Sequence, residues 1–199
     1  MGLLKGNLHA HTTFSDGRRP VREVIACYRE LGYDFLAITD HDGWVDDDYW
    51  ERIPRGDDRM LVLSGIEIDY RPLPQHVGKV TGVRETLHVL NHPARYNLTV
   101  DGTIERIAVL RAAGLPVDAL EVTDTGVYQP QYDVEAILVP KIATDDSHRD
   151  AHFGRAWVEV DSARSADAII RAIKAGDFRL GFGNSEGGSA PLPNLPPKS

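Results

Sequence analysis

Phe35-Leu36-Ala37-Ile38-Thr39-Asp40-His41-Asp42 joins a short, wholly apolar run to a dense polar cluster. Four apolar residues bounded by polar ones read as a strand buried on both faces. The polar cluster then marks its C-terminal end, where α/β folds gather functional side chains. Working outward, the same pattern repeats. Leu3–His9 reads as a first strand, followed by the polar loop Thr12-Thr13-Phe14-Ser15-Asp16-Gly17. Pro20 then opens a helix at a position where a missing N–H costs nothing. Val21, Val24, Ile25, Tyr28 and Leu31 recur along it at helical spacing, and Gly32 ends it.

Downstream, Leu61–Ile68, Val77–Val83, Leu87–Leu90, Ala119–Val122, Ile142–Thr144, Ala156–Val160 and Phe178–Phe182 read as further strands. Asp46–Ile53, Thr103–Ala113 and Tyr132–Leu138 read as helical, and Ser165 caps a last helix that runs to Ala175 before Gly176. Six or seven strand–helix alternations predict an α/β domain, either barrel-like or doubly wound, with a mostly parallel sheet. The stretch from Gly183 to Ser199 is Pro- and Gly-punctuated, without apolar periodicity. It reads as a tail or linker after a domain spanning residues 1–182.

The composition fits one globular domain. The 199 residues are 42% hydrophobic and 26% charged, with 30 acidic against 22 basic residues and a formal net charge of -8. That balance argues against a long nucleic acid or an anionic membrane surface as partner. A small anionic substrate is compatible with it, because bound cations reverse the local charge. A single cysteine excludes an internal disulfide and a Cys-based zinc site. No apolar run approaches the length of a membrane span, and the first residues lack a signal-peptide core, so cytoplasmic placement is the expectation. Eight histidines need an explanation.

Most of them stand at predicted strand ends beside carboxylates. His9 and His11 share one face of a strand at i and i+2 and can meet one cation. Asp16 lies in a Ser-Asp-Gly turn, an ordinary turn element as well as a candidate ligand. Asp40 is a ligand, a helix cap or an orienting group beside His41. Glu67 sits in the otherwise apolar Leu61–Ile68, where a carboxylate is costly unless paired or bound to metal. His76, His88 and His92-Pro93 follow, and Asp146 and His148 repeat the i, i+2 relation. Strand C-termini converge on one mouth of such a sheet, so these clusters are expected to meet.

In this order, His9-x-His11, Asp16, Thr39-Asp40-His41, Gly65-Ile66-Glu67, Asn91-His92-Pro93 and Asp146-x-His148, the sequence resembles the PHP (polymerase and histidinol phosphatase) superfamily. The resemblance runs from about Gly6 to Gly181. It implies a distorted barrel of seven β/α units with two or three divalent metals at the strand C-terminal ends. It further implies that His9, His11, Glu67 and Asp146 hold one metal. Glu67 would bridge to a second, completed by His76 and His92, and Asp16, His41 and His148 would hold a third. His88 competes with His76 for its place. The family's Gly-Ser-Asp-x-His motif stands here as Thr144-Asp145-Asp146-Ser147-His148, a departure in its first two residues. Many relatives insert a helical subdomain after the glutamate strand. The short stretch between Glu67 and His92 suggests a more open site here.

Imidazole and carboxylate donors without thiolate suit Zn, Mn or Fe. By resemblance, the expected reaction is phosphoester hydrolysis by a metal-activated hydroxide, with Glu67 bridging the metals. Asp16 and His148 are candidates for the catalytic proton donor. Arg18, Arg19 and Arg95 are phosphate-binding candidates because guanidinium pairs bidentately with phosphate, Arg95 standing nearest a candidate ligand. A carbamate, carboxyl ester or amide hydrolase is the alternative, with Phe14, Trp44 and Tyr128 offering apolar surface. A degenerate metal-binding regulatory module is the second alternative.

Overall fold

The computed structural model describes residues 2–183, so the expected tail lies, apart from Gly183, outside the described residues. Eleven strands are present among the described residues. A single nine-stranded mixed sheet holds β1 (Leu4–Asn7), β2 (Phe35–Ile38), β3 (Leu61–Tyr70), β4 (Gln75–Thr81), β5 (Thr86–Leu90), β6 (Ala119–Glu121), β9 (Lys141–Ile142), β10 (Ala156–Val160) and β11 (Phe178–Phe182). The order across it is β11-β10-β1-β2-β3-β4-β5-β6-β9. The remaining two strands, β7 (Thr123–Asp124) and β8 (Val127–Tyr128), form a separate hairpin that the sequence pattern does not predict.

The sheet curls into a nearly closed, distorted barrel. A parallel bridge between Ala10 and Ser147 brings the chain beyond β9 against the chain beyond β1, where the His11 N–H donates to the Ser147 carbonyl at 2.9 Å. Closure therefore occurs at the mouth that carries the functional residues. The sheet is not mostly parallel. β3–β4 and β4–β5 pair antiparallel, as do β1–β10 and β10–β11. Only residues 71–74 and 82–85 connect β3, β4 and β5. Such loops are too short for a crossover helix, so the strands must reverse. One consequence matters for the site: His76 stands at the start of β4, next to the end of β3, paired with Asp69.

Three apolar clusters hold the barrel. Its interior contains Leu4, Leu8, Phe35, Ala37, Leu63, Val80, Leu87 and Val89. The helix α4 (Ala166–Ala175), capped by Ser165, adds Ile169, Ile170 and Ile173 to that interior, packing against β5 and β10. Outside, α1 (Val21–Glu30) buries Val21, Val24, Ile25 and Tyr28 against Leu36 and Ile38 of β2. Further round, α3 (Val100–Ala112), capped by Thr99, buries Ile107 and Leu110 against Val77, Leu90 and Leu120. The predicted helix over Asp46–Ile53 shrinks to one turn, α2 (Tyr49–Arg52).

Residues 132–138 are not helical. A 3-10 turn at Pro130–Tyr132 gives way to irregular turns, because Tyr132, Ile137 and Val139 all enter the cluster under α3. Their spacings of five and two residues do not share one helix face. No helix among the described residues is long and apolar enough to cross a membrane.

Candidate metal centre

All nine candidate ligands come together at the mouth of the barrel. His9 Nε2 lies 3.1 Å from His11 Nε2, 3.2 Å from Glu67 Oε1 and 3.3 Å from Asp146 Oδ1. His11 Nε2 lies 3.3 Å from Glu67 Oε2 and 3.4 Å from Asp146 Oδ1. On the far side of Glu67, Oε1 is 3.1 Å from His92 Nε2 and 3.2 Å from His76 Nδ1. Nearer solvent, Asp16 Oδ2 lies 3.3 Å from His148 Nε2 and 3.7 Å from His41 Nε2. Glu67 is thus the common member, central and wholly buried.

His88 is elsewhere. Leu87 and Val89 face the barrel interior and Leu90 faces α3, so His88 points away from the interior. Its Nδ1 lies 3.6 Å from Asp118. The shared parity of His88, Leu90 and His92 fails because His92 leaves the strand with a left-handed backbone, φ 27°. Asp146, at φ 43°, is a second such residue. It lies outside any regular strand, so the backbone turn and not strand alternation aims it inward. Non-glycine residues rarely adopt this conformation, and both are held by what surrounds them. The His92 N–H donates to Glu121 Oε2 at 2.8 Å.

Asp145 points away from the site and serves the fold. Its buried carboxylate accepts from the backbone N–H groups of Gly154, Arg155 and Ala156 at 2.7–2.8 Å and from the Tyr28 hydroxyl at 2.9 Å. Asp40 neither caps a helix nor touches a histidine. It accepts from Thr12 N–H, Thr12 Oγ1, Ser15 Oγ and the Tyr49 hydroxyl, and so ties down the loop that presents Asp16. Gly17 completes that loop, where a Cβ would come within 2.6 Å of the His11 and Thr12 backbone.

Of the candidate arginines, Arg18 is exposed, with its backbone N–H on the His148 carbonyl at 2.8 Å. Arg95 follows His92 on a 3-10 turn (Pro93–Tyr96), and its guanidinium reaches both Asp146 and Asp124.

Three acceptors or donors around the site go beyond the sequence-based expectation. Glu121 is wholly buried and accepts from His9 Nδ1 at 3.2 Å. Asp69 lies 3.0 Å from His41 Nδ1. Asn91 Nδ2 donates to Glu67 Oε1 at 2.7 Å. The signals that mark Glu67 also mark two of these. Glu121 is a carboxylate within a buried apolar strand, and Asp69 stands at i+2 from Glu67 on one strand face.

The donor arrangement fits divalent metal ions. Glu67 Oε2 and Asp146 Oδ1 are buried without a properly aligned hydrogen bond, although imidazole nitrogens lie 3.3 Å from each. Close approach without alignment is what lone pairs aimed at one shared cation produce. In addition, His9 turns Nε2 toward these carboxylates and Nδ1 to Glu121, while His41 and His148 turn Nε2 toward Asp16 and Nδ1 to Asp69 and to the Asp146 carbonyl. An outer acceptor of this kind orients a metal-binding imidazole.

Without metal, protons supply the compensating charge. Burial disfavours a charged His11, but Asp146 and Glu67 outweigh it and push its pKa up to about 9. His9 is held well above its ordinary value against the same burial, by Asp146, Glu67 and Glu121. The unfolded chain titrates histidine near 6.5. The stability that the His11 proton confers on the metal-free fold is therefore complete below about pH 6.5 and lost as pH rises through about 9. Metal needs neutral imidazoles and so binds more tightly over the same rise. Chelator-treated protein is expected to melt at progressively lower temperature between pH 6.5 and 9, while metal-saturated protein does not. A chelated melting temperature flat across that window would contradict this charge balance.

Comparison with known proteins agrees with the geometry. A two-domain protein from Bacteroides vulgatus ATCC 8482, containing a predicted PHP-like metal-dependent phosphoesterase, superposes with a TM-score of 0.67 at 21% identity, covering 90% of this chain and 65% of that one. The two share a fold. PsfC from Pseudomonas syringae PB-5123 superposes with a TM-score of 0.68 at 17% identity, covering 92% of this chain and 93% of that one. In sequence, 45 residues are 42% identical to the DNA polymerase/3'-5' exonuclease PolX of Bacillus subtilis (strain 168). That segment is 23% of this chain and 8% of PolX, so the match spans a small part of the relative. No family model matches the chain. Within this barrel, the strict β/α alternation is broken by the β3–β4–β5 meander, and no helical subdomain stands after β3 among the described residues.

Proposed function

We propose that this chain is a metal-dependent hydrolase of the PHP type, a phosphoesterase acting on a small phosphorylated substrate. The observation that carries the reading is the pair of buried carboxylate oxygens, Glu67 Oε2 and Asp146 Oδ1, enclosed by imidazole nitrogens and left without aligned donors. Two or three divalent ions of Zn, Mn or Fe type suit this donor set. His9, His11, Glu67 and Asp146 would hold one, His76 and His92 with Glu67 a second, and Asp16, His41 and His148 a third. Bound there, such ions supply Lewis acidity and a water activated near neutral pH.

The chain's own residues do the rest. Glu67 ties the ligand groups together from the centre. Asp16, 41% exposed, and His148 stand at the rim, where a proton can pass to a leaving oxygen. Arg95 presents a guanidinium beside Asp146, and Arg18 lies exposed nearby. Both suit phosphate, which guanidinium pairs in bidentate fashion. Only residues 71–74 join β3 to β4 beside that rim, which suits access by a small substrate.

Support for an apolar ester or carbamate is weaker. The Phe14 ring packs edge-on to Tyr49 and the Tyr128 ring against Phe182, leaving Trp44, 65% exposed, as the one of the three free for a substrate. The full chain, loaded with Mn²⁺ or Zn²⁺, is to be assayed on a panel of phosphomonoesters, phosphodiesters, carboxyl esters and carbamates. Phosphate or nucleotide release faster than any ester cleavage is expected. Faster ester or carbamate cleavage reverses the assignment, and less than one metal per chain with no turnover favours a regulatory module.

A further inference from the structure

Asp69 occupies a position that no ligand role requires. It lies on β3 beside His76 on β4, and its carboxylate is partly exposed. Its Oδ1 is 3.0 Å from His41 Nδ1 and 3.2 Å from His76 Nε2. Each of those rings presents its other nitrogen to a different carboxylate. His41 Nε2 faces Asp16 at 3.7 Å, and His76 Nδ1 faces Glu67 at 3.2 Å. Glu67 Oε2 also lies 3.4 Å from His41 Nδ1, but the hydrogen bond of that nitrogen is with Asp69. The backbone around Asp69 is held as well, since its N–H donates to Asp42 Oδ1 at 3.2 Å and the Asp42 N–H donates to the Glu67 carbonyl at 2.9 Å.

A neutral imidazole has one N–H, and an ionised carboxylate only accepts. Through its hydrogen bond Asp69 selects the Nδ1–H form of His41, and its Oδ1, 3.2 Å from His76 Nε2, favours the Nε2–H form of His76. The lone pairs then point inward, one toward Asp16 and the other toward Glu67. We propose that Asp69 is a positioning residue that holds two histidines of two different cation positions in their metal-binding tautomers, and so couples the occupancy of those positions. This inference rests on the metal reading of the site. It differs from a third-ligand role for Asp69, in which His41, Asp69 and His76 would together hold an ion of their own.

The test uses the full chain, stripped with chelator and titrated with Zn²⁺ by calorimetry, with ¹⁵N-histidine spectra of the zinc-loaded state. In the wild type, His41 is expected as the Nδ1–H tautomer and His76 as the Nε2–H tautomer. Asp69→Asn is expected to weaken two zinc positions together by about 10–100-fold and to disturb both ring signals. Asp69→Glu, which keeps the carboxylate, is expected to recover part of the affinity. Wild-type affinities and tautomers in Asp69→Asn would overturn the proposal. So would loss of a single zinc with the other affinities unchanged, which would make Asp69 a ligand. A wild type that binds no zinc, manganese or iron at all overturns the metal reading itself, a result separable from either of these.

Discussion

Under the proposed metal-dependent hydrolysis, replacing Glu67 by glutamine is expected to lower turnover by at least about a hundred-fold, since the ions it would organise would supply several kcal/mol of charge stabilisation. The fold should survive. A glutamine carbonyl can still accept from Asn91 Nδ2, as Glu67 Oε1 does at 2.7 Å. What changes is the other oxygen. Glu67 Oε2 lies 3.3 Å from His11 Nε2 and 3.4 Å from His41 Nδ1 with no aligned donor. An NH₂ group there turns a lone pair aimed at the shared position into a donor. Metal content should fall with activity, because the Glu67 oxygens lie within 3.3 Å of both the His9–His11 and the His76–His92 groups. Circular dichroism and metal analysis on the same sample separate the two effects. Unchanged turnover would remove Glu67 from the centre of the site.

Asp145→Ala is expected to act the opposite way, through the fold. Truncation orphans three backbone N–H groups, at Gly154, Arg155 and Ala156, and removes one partner of the Tyr28 hydroxyl, which keeps Ser147 Oγ at 2.9 Å. Each unsatisfied buried group costs roughly 1–3 kcal/mol. With partial relaxation, a loss of about 3–5 kcal/mol is expected. In a chain of this size that lowers the melting temperature by about 10 °C. Asp145→Asn should recover only part of it, since its NH₂ group must face N–H donors whichever way the amide turns. Urea unfolding with an unchanged slope is the measurement. A loss below about 1 kcal/mol would mean that the start of β10 is held by something else. Adjacent aspartates thus do different work: Asp145 anchors Tyr28 of α1 to the chain before β10, while Asp146 faces the metal candidates.

Much of this was readable from local pattern. Phe35–Ile38, Ala156–Val160 and Phe178–Phe182 are strands as the apolar runs suggest, and the last helix keeps both its Ser165 cap and its Gly176 stop. Candidate ligands stood out because a buried carboxylate or a paired histidine is costly in apolar surroundings, and that cost is visible within a few residues of chain. Antiparallel pairing of β3, β4 and β5 was not read from the pattern, which predicted a mostly parallel sheet; the four-residue connections that force the reversal appear only with the observed strand ends.

Other features depend on partners far along the chain. Parity placed His88 with His92, but the backbone at His92 turns left-handed where its N–H meets Glu121, 29 residues away. The helix expected over residues 132–138 gave way because three apolar side chains at non-helical spacing had one cluster to fill. Glu121 reaches His9 across 112 residues, and barrel closure joins Ala10 to Ser147. Spacing along the chain thus settles which residue types sit at strand ends, because secondary structure follows from short-range sterics and burial. Which nitrogen of each imidazole faces inward, and which carboxylate holds the other, is settled only when the ring closes. Those contacts join elements distant in sequence, and no local pattern encodes them.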